Sequence, residues 1–239
     1  PPMVHPLPAS GDNRMASDMK LKKVNLGTTP DDAALNSLEL GNVVYLTGLV
    51  YTAREGAYIK VVDEGAPLPL DLPAQSAANF HCSPAAAKRP DGSYDVGAVS
   101  ATASFRFRKW MDGWFRASGA RLIMGKGGMS SDDYKRYFVP NNAIYLTTVG
   151  YGTGALLGRG VKRVRDVHWL NELGIAQAMW ILEVENLGPF IVESDMNGNS
   201  LFERENEKIS AGLAKLYEGT KPAVLKRFGE TDDRSDELI

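Results

Sequence analysis

Short β-rich segments alternate with helical segments through most of the chain, and this alternation restricts the fold class more than any other feature. The predicted strands are bounded by Gly, Pro or Asn, and helical periodicity appears between several of them. Such alternation is typical of α/β domains. We therefore predict one α/β domain with a mixed sheet and flanking helices. The predicted strands are NVVYLTGLV (42–50), RLIMG (121–125), NAIYLTTVG (142–150), VKRVRDV (161–167), AMWILEV (178–184) and PFIVESD (189–195).

The two ends of the sequence differ from its centre in composition. Residues 1–20 are rich in proline and lack periodicity, and residues 220–239 are highly charged, so both are predicted to be tails. The domain is predicted to occupy residues 21–219. A turn is expected at 195–198, followed by a closing amphipathic helix. Its apolar positions recur at helical spacing and are Ile209, Leu213, Leu216 and Tyr217.

Charge and cysteine content exclude several classes of function. With 27 Lys+Arg and 29 Asp+Glu the formal net charge is −2, which provides no global attraction to nucleic acid or an anionic membrane. Cys82 is the only cysteine, and His5, His81 and His168 lack metal-binding spacing, so we expect no disulfide and no metal site within this chain. The apolar runs are far shorter than the ~20 residues of a membrane span. We expect a cytoplasmic protein that binds anions only locally.

The segment TGLVYTAREGAY (47–58) carries an arginine at a predicted corner between a strand and a helix. Thr52 and Glu55 have the spacing of a capping box, which would place Arg54 in the first helical turn. A cation there is mildly unfavourable for the helix dipole. Together with the unpaired N–H groups of the first turn, however, it is well placed to bind an anion.

Residues 99–119 predict an amphipathic helix that is preceded by polar side chains. Thr102 is the expected N-cap, and Gly119 is the expected C-cap. Arg106 follows Thr102 by four residues, so its side chain is predicted to lie one turn above it. A hydroxyl and a guanidinium can then share one pocket.

Residues 121–138 predict a strand that ends at Gly125 and a helix that begins at Ser130 or Ser131. Lys126 lies between glycines, which let a backbone approach a ligand closely. The GxxxxGK[ST] order of a nucleotide-binding loop is absent, so a nucleotide is not the expected ligand.

The three cations can be interpreted separately or as a set. Singly, each is compatible with an ordinary surface charge, and Thr102 with a simple helix cap. As a set, Arg54, Arg106 and Lys126 all follow predicted strand ends, where ligands bind in open α/β sheets. Two guanidinium groups, one ammonium group and a hydroxyl suit a small di-anion. We therefore predict a dianion site.

Four stretches resemble one known protein family. LTGLVYTARE resembles a strand followed by T-[AG]-R-D, SATASFR resembles T-T-x-x-R, IMGKGG resembles a GKG motif, and LGIAQAMWILEVENLGPFIVESDMNGNSLF resembles the C-terminal segment of the family. The combination resembles the β subunit, or equivalent C-terminal domain, of class I fumarate hydratases and L-tartrate dehydratases, which are iron–sulfur hydro-lyases. The resemblance extends from about Leu21 to Tyr217.

This resemblance implies a swivelling β/β/α-type domain that works with an α subunit in an α2β2 assembly. The partner would carry a [4Fe-4S] cluster on three cysteines, and the active site would lie at the junction of the subunits. The substrate implied is a small dicarboxylate. By the same resemblance, Thr102 is the catalytic base, and Arg54, Arg106 and Lys126 bind the carboxylates.

The chain departs from the family pattern at three positions. The histidine of R-D-x-x-H is replaced by Tyr58, the second threonine of T-T by Ala103, and R-M-D by Arg106-Phe107-Arg108. Tyr58 is predicted to face the pocket of Arg54, and Ala103 to leave room there, so both are predicted to affect specificity. A methyl-substituted or hydroxylated C4 diacid is therefore a candidate substrate.

Other interpretations of the sequence remain open. Aligning the sequence WMD (110–112) with R-M-D would place Trp110 where the family has arginine. The domain could also be a dicarboxylate sensor, or a structural partner of an active paralogue. A sensor should bind its ligand alone, whereas half of a hydro-lyase should need its partner.

Overall fold

The fold is given by a computed structural model, which describes residues 23–150 and 152–219. The chain forms two compact units, one up to Leu201 and one from Phe202 onwards. The tails predicted at 1–20 and 220–239 lie outside the described residues. Within the described part, no helix is long and apolar enough to cross a membrane.

Nine strands form two sheets within the described residues. The strands are β1 (Lys23–Gly27), β2 (Val43–Thr52), β3 (Ala78–Phe80), β4 (Cys82–Lys88), β5 (Tyr94–Ala101), β6 (Leu122–Gly125), β7 (Ile144–Thr148), β8 (Val161–His168) and β9 (Met179–Ser194). The main sheet has the order β1-β2-β3-β6-β7-β9-β8, and β4 and β5 form a separate antiparallel pair.

In the same part of the chain, eight α-helices connect or follow these strands. They are α1 (Asp32–Asn36), α2 (Glu55–Tyr58), α3 (Leu72–Gln75), α4 (Met111–Ser118), α5 (Ser131–Asp133), α6 (Gly154–Arg159), α7 (Leu170–Leu173) and α8 (Leu201–Tyr217). Helix α2 continues as a π-helical turn (Ile59–Asp63), and a 3₁₀ helix (Ser104–Trp110) precedes α4. A second π-helical turn (Tyr134–Phe138) follows α5, and a 3₁₀ turn (Val139–Asn141) follows it.

The main sheet closes into a ring of paired strands. Parallel pairing joins β2 to β3, β3 to β6 and β6 to β7. Strand β9 pairs antiparallel with both β7 and β2. The pairing therefore returns to the strand where it began. The prediction of an α/β fold with a mixed sheet and flanking helices is confirmed.

Side chains alternate between two buried clusters because successive strand residues point to opposite faces. In β6, Leu122 and Met124 belong to one cluster and Ile123 to the other. The second cluster also contains Tyr58 of α2 and Trp114 of α4. These helices thus cover one face of the sheet, next to the ends of β2 and β6.

Some strand predictions need correction. The segments predicted at 178–184 and 189–195 form one strand, β9, in which Asn186 has a φ of 52° near a shift in the pairing register. The turn-like sequence between them is thus an irregularity within a strand. Strands β1, β3, β4 and β5 were not predicted, because β3 is only three residues long and β4 contains Pro84 and three alanines, which have low β propensity.

Two of the predicted helix caps are wrong. The Thr52 hydroxyl donates to Ala178 O at 3.1 Å and accepts from Trp180 N–H at 3.0 Å, so it joins two strands and caps no helix. Arg54 itself is the N-cap residue of α2 and makes no side-chain cap bond. At the 3₁₀ helix the N-cap residue is Ala103, with an extended backbone, and not Thr102.

The other helix boundaries agree with the sequence. Gly119 closes α4 in the left-handed conformation with a φ of 62°, and Ser130 caps α5 in a capping box with Asp133. The turn at 195–198 is present, with Gly198 N–H bonded to Asp195 O at 3.1 Å. The predicted closing helix is α8, along which the apolar side chains Ile209, Leu213, Leu216 and Tyr217 are exposed.

Candidate active site

The segment that follows β5 lies directly beside the end of β6. Lys126 N–H donates to Thr102 O at 3.0 Å, and Ser104 N–H donates to Lys126 O at 3.2 Å. Ala103 and Lys126 thereby form a parallel β-bridge. Thr102 and Lys126 are therefore adjacent, although β5 belongs to the two-stranded sheet and not to the main sheet.

Gly125 makes this approach possible. A Cβ atom built on Gly125 would overlap Ser104 Oγ and would lie 2.8 Å from Tyr145 Oη and 3.2 Å from Thr102 O. Any larger residue at the end of β6 would push the Thr102–Ser104 segment away from Lys126. The glycine before Lys126 thus has a steric role that needs no ligand.

Arg54 lies at the end of β2 in an environment that is unfavourable for its charge. Its Nη1 donates to Ala176 O at 2.8 Å, whereas its Nε is buried without a hydrogen-bond partner among the described residues. Burial lowers the pKa of Arg54, and the Arg106 cation acts in the same direction. An anion bound here would satisfy the free N–H group and offset both effects.

Arg106 extends from the 3₁₀ helix towards the start of α2. Its Nη2 lies 3.6 Å from Glu55 Oε2, and both side chains are about half exposed. An exposed ion pair of this length contributes at most about 1 kcal/mol, so it can be exchanged for a ligand at little cost. The two arginines are thus electrostatic neighbours, and the outer one is open to solvent.

Lys126 lines a cavity of about 330 Å³ between β5 and the glycine-rich loop before α6. Lys126 is the sole charged residue among the described side chains that line it, so the cavity is suited to an anion or a neutral polar group. Its lining includes the hydroxyls of Ser100, Thr148 and Thr153.

The Thr102 side chain is partly exposed, and its hydroxyl makes no side-chain hydrogen bond within residues 23–150 and 152–219. Because Thr102 is not a cap residue, capping does not occupy this hydroxyl. Ala103 is also partly buried and carries only a methyl group beside Lys126. The Thr102 hydroxyl is therefore available to a ligand.

Tyr58 lies in the core and not on the wall of an open pocket. Its side chain is fully buried, and its ring packs against Trp114 and stacks on Trp110, with centroids 4.7 and 5.9 Å apart. The sequence-based expectation that Tyr58 faces the same pocket as Arg54 does not describe this arrangement, because α2 begins only at Glu55 and turns Tyr58 inward. Its effect on specificity stays a prediction.

A buried polar network beneath the site was missed by the sequence analysis. His81 Nε2 lies 2.6 Å from Tyr58 Oη, and His81 Nδ1 lies 2.7 Å from Ser104 Oγ. Tyr145 Oη donates to the same Ser104 Oγ at 2.6 Å, and Asn79 Nδ2 donates to Tyr58 Oη at 2.8 Å. The available signal was the alternation of Asn79 and His81 around Phe80, which places two polar side chains on one face of a buried strand.

The donor groups of the described residues do not fit an iron–sulfur cluster. In the part of the chain that the structure describes, no group of three His, Cys, Asp or Glu side chains could hold a metal ion. Cys82 is buried, and burial raises the pKa of its thiol well above the ordinary value. A buried, protonated thiol is a poor ligand, because thiolates bind the metal.

Comparison with known proteins identifies the family of the chain. The profile of the family described as Fumarase C-terminus matches residues 3–205. L(+)-tartrate dehydratase subunit beta of Escherichia coli strain K12 is 32% identical over 187 residues, which cover 77% of this chain and 89% of that protein. A Methanocaldococcus jannaschii protein provisionally named as the same subunit is 36% identical over 185 residues, which cover 76% of this chain and 92% of that protein.

A longer relative matches only in part. A Geobacillus stearothermophilus protein provisionally named fumarate hydratase class I is 30% identical over 214 residues, which are 90% of this chain and 40% of that protein. This chain thus corresponds to less than half of a longer hydratase and to nearly all of a tartrate dehydratase β subunit. The chain belongs to the family of the fumarase C-terminal domain.

Proposed function

We propose that this chain is the β subunit of a cytoplasmic hydro-lyase that adds water to, or removes it from, a small dicarboxylic acid. Its partner is an α subunit that carries a [4Fe-4S] cluster, and the assembly is α2β2. The family and the names of the relatives support the class of reaction. The poor fit of the chain's own donor set to a cluster supports placing the cofactor on the partner.

The observation that carries the proposal is the pairing of Thr102 with Lys126 across the Ala103–Lys126 bridge. It joins the main chain of Thr102, whose hydroxyl has no side-chain partner among the described residues, to the main chain of the cationic Lys126. Arg54 and Arg106 supply two further positive charges within mutual electrostatic range. A C4 diacid has two carboxylates and one reacting C–H bond, and this set provides groups for each.

We assign a role to each residue in the dehydration direction. Thr102 accepts the proton from the carbon next to the one that bears the hydroxyl group, with help from an acidic residue of the partner. Arg54, Arg106 and Lys126 hold the carboxylates and stabilise the negative charge that develops on one of them when the C–H bond breaks. The Thr102 hydroxyl passes its own proton to that acidic residue, and the substrate's hydroxyl group leaves as water with a proton that the partner subunit supplies.

The names of the relatives limit the class of substrate that we propose. Tartrate and fumarate are the acids in those names, and malate is the hydrated form of fumarate. The missing hydroxyl at Ala103 leaves space for a substituent near Lys126, so we include hydroxylated and methyl-substituted C4 diacids such as tartrate and mesaconate. Tyr58 would act on specificity only from the core.

The test is an anaerobic purification of the complex, with an absorbance assay of fumarate, mesaconate, malate and tartrate. We expect turnover of at least one diacid by the complex and none by the isolated chain, which should also be colourless. Arg106→Ala should raise KM for the best diacid about tenfold or more. Arg108→Ala, on the same 3₁₀ helix and also exposed, is the matched control and should change little.

Two results would contradict the proposal. One is hydratase activity, or an iron–sulfur absorption band, in rigorously purified isolated chain. The other is tight binding of a diacid by the isolated chain together with no turnover in the complex, which would favour a sensor. Equal effects of the Arg106 and Arg108 variants would remove Arg106 from the substrate site.

A further inference from the structure

We propose that His81 is a positioning residue that sets the placement of Thr102 and Lys126 from within the core. The catalytic meaning of this placement rests on the proposed function. The placement itself is independent of the proposed function, because it consists of hydrogen bonds inside this chain. His81 touches neither the open cavity nor solvent, since its side chain is fully buried.

The backbone of His81 holds Thr102 directly. His81 O accepts from Thr102 N–H at 2.7 Å, and His81 N–H donates to Met124 O at 2.8 Å, two residues before Lys126. His81 therefore contacts both chain segments that meet at the site. It occupies the position that β3 would reach if it continued between them.

The side chain of His81 holds the same segment from its other end. Nδ1 contacts Ser104 Oγ at 2.7 Å, and Ser104 N–H in turn donates to Lys126 O. Thr102 is thus fixed by the His81 backbone and Ser104 by the His81 ring, on either side of Ala103. Because the Thr102 hydroxyl has no side-chain hydrogen bond of its own, these contacts of the neighbouring backbone determine the position of the hydroxyl.

The ring of His81 is itself anchored to the aromatic core. Nε2 contacts Tyr58 Oη at 2.6 Å, and the Tyr58 ring lies between Phe107, Trp110 and Trp114. Burial and the nearby Arg54 cation lower the pKa of His81 to about 3, so the imidazole is neutral near pH 7. Whichever nitrogen carries the proton, the other accepts, and both contacts are hydrogen bonds.

This arrangement distinguishes His81 from a histidine that merely fills the core. A buried histidine with only a packing role would need a hydrogen-bond partner for each ring nitrogen, but these partners could belong to any part of the fold. Here the two partners connect the buried aromatic cluster around Tyr58 to the segment that carries Thr102, and a third contact, through the His81 backbone, reaches Thr102 itself. Loss of the Ser104 contact should therefore loosen Thr102 and Lys126 in preference to the rest of the domain.

The test uses Ser104→Ala in the full chain, with Ser118→Ala as the matched control. Ser118 is also fully buried, and its hydroxyl donates to Trp114 O at 2.8 Å and accepts from Ala120 N–H at 3.2 Å. Hydrogen exchange is measured at the amides of Thr102 and Lys126. We expect roughly tenfold faster exchange in Ser104→Ala and less than about twofold change in the control.

A second variant and a second readout keep the test decisive. Tyr58→Phe keeps the ring but removes the Nε2 partner of His81, and should raise exchange at the same two amides by roughly threefold. In the complex, Ser104→Ala should lower kcat about tenfold, because Thr102 loses its placement. KM should rise by less than about threefold, because Lys126 also loosens while Arg54 keeps its contacts.

Unchanged exchange at Thr102 and Lys126 in both Ser104→Ala and Tyr58→Phe would overturn the proposal. An equal increase in Ser118→Ala would also overturn it, because the effect would then be general destabilisation. The exchange experiment needs no substrate. A wild-type complex that turns over no diacid would therefore refute the proposed function and leave the positioning by His81 to be decided by exchange alone.

Discussion

Gly125→Ala tests whether the close approach of two chain segments builds the site. The new Cβ atom would overlap Ser104 Oγ and lie 2.8 Å from Tyr145 Oη, and real Cβ atoms do not lie closer than 3.0 Å to such neighbours. Ser104 is fully buried. Either the hydroxyl leaves its partners or the backbone of the Thr102–Ser104 segment moves.

The magnitude follows from the hydrogen bonds that the methyl group would break. Ser104 Oγ is held by His81 Nδ1 at 2.7 Å and by Tyr145 Oη at 2.6 Å. Leaving a buried partner unsatisfied costs about 1–3 kcal/mol for each bond, and inserting a methyl group into a packed core typically costs about 1–3 kcal/mol. The lower end of the sum of these costs is about 3 kcal/mol, and we expect the free energy of unfolding to fall by at least about this amount.

The assay is urea unfolding of the chain, followed by turnover in the complex under conditions where the variant is folded. Gly27→Ala is the control, because it is also a strand glycine and no atom lies within 4 Å of its added Cβ. It should change stability by less than about 0.5 kcal/mol. A Gly125→Ala variant as stable and as active as Gly27→Ala would refute the claim that this contact shapes the site.

Two further predictions concern buried groups. Burial and the Arg54 cation lower the pKa of His81 from 6.5 to about 3, so between these values the unfolded chain binds a proton that the folded chain does not. The contribution of His81 to the free energy of unfolding should thus be full above pH 6.5 and fall by about 2 kcal/mol from pH 7 to pH 5. In urea unfolding, His81→Gln should lack this loss of stability at low pH. An identical pH slope in the variant and the wild type would contradict the prediction. Thr52→Val keeps the shape but removes the hydroxyl that joins Ala178 O and Trp180 N–H, and it should lower the unfolding free energy by about 2 kcal/mol. A change below about 0.5 kcal/mol in a thermal or urea melt would show that this hydroxyl does not hold β2 to β9.

Local periodicity was sufficient to predict much of the fold. Helix α4 and its Gly119 cap follow from the spacing of Phe107, Trp114 and Phe115, and strands β2, β6 and β7 follow from short β-rich runs. The hairpin of β4 and β5 carries neither signal, because alanine and Pro84 disfavour strands. The two strands of this hairpin are stabilised by pairing with each other, and a local sequence pattern does not predict such pairing.

The site was predictable only at the level of chain position. A topological rule for strand ends predicts that Arg54 and Lys126 lie near each other, but the Ala103–Lys126 bridge that brings Thr102 to Lys126 is a long-range contact. The capping role of Thr102 failed because the backbone at Ala103 stays extended and the 3₁₀ helix begins at Ser104. His81 could not be assigned, since its role depends on contacts with residues 23 positions away in both directions.

The initial rate of the complex that contains Thr102→Asn tests whether Thr102 acts as the base in the dehydration of a C4 diacid. The Thr102 hydroxyl makes no side-chain hydrogen bond within the described residues, so the melting temperature and assembly should stay nearly unchanged. Turnover should fall at least about a hundredfold, and Thr102→Ser should retain part of it. Near-wild-type turnover by the Asn variant, at an unchanged melting temperature, would contradict the account.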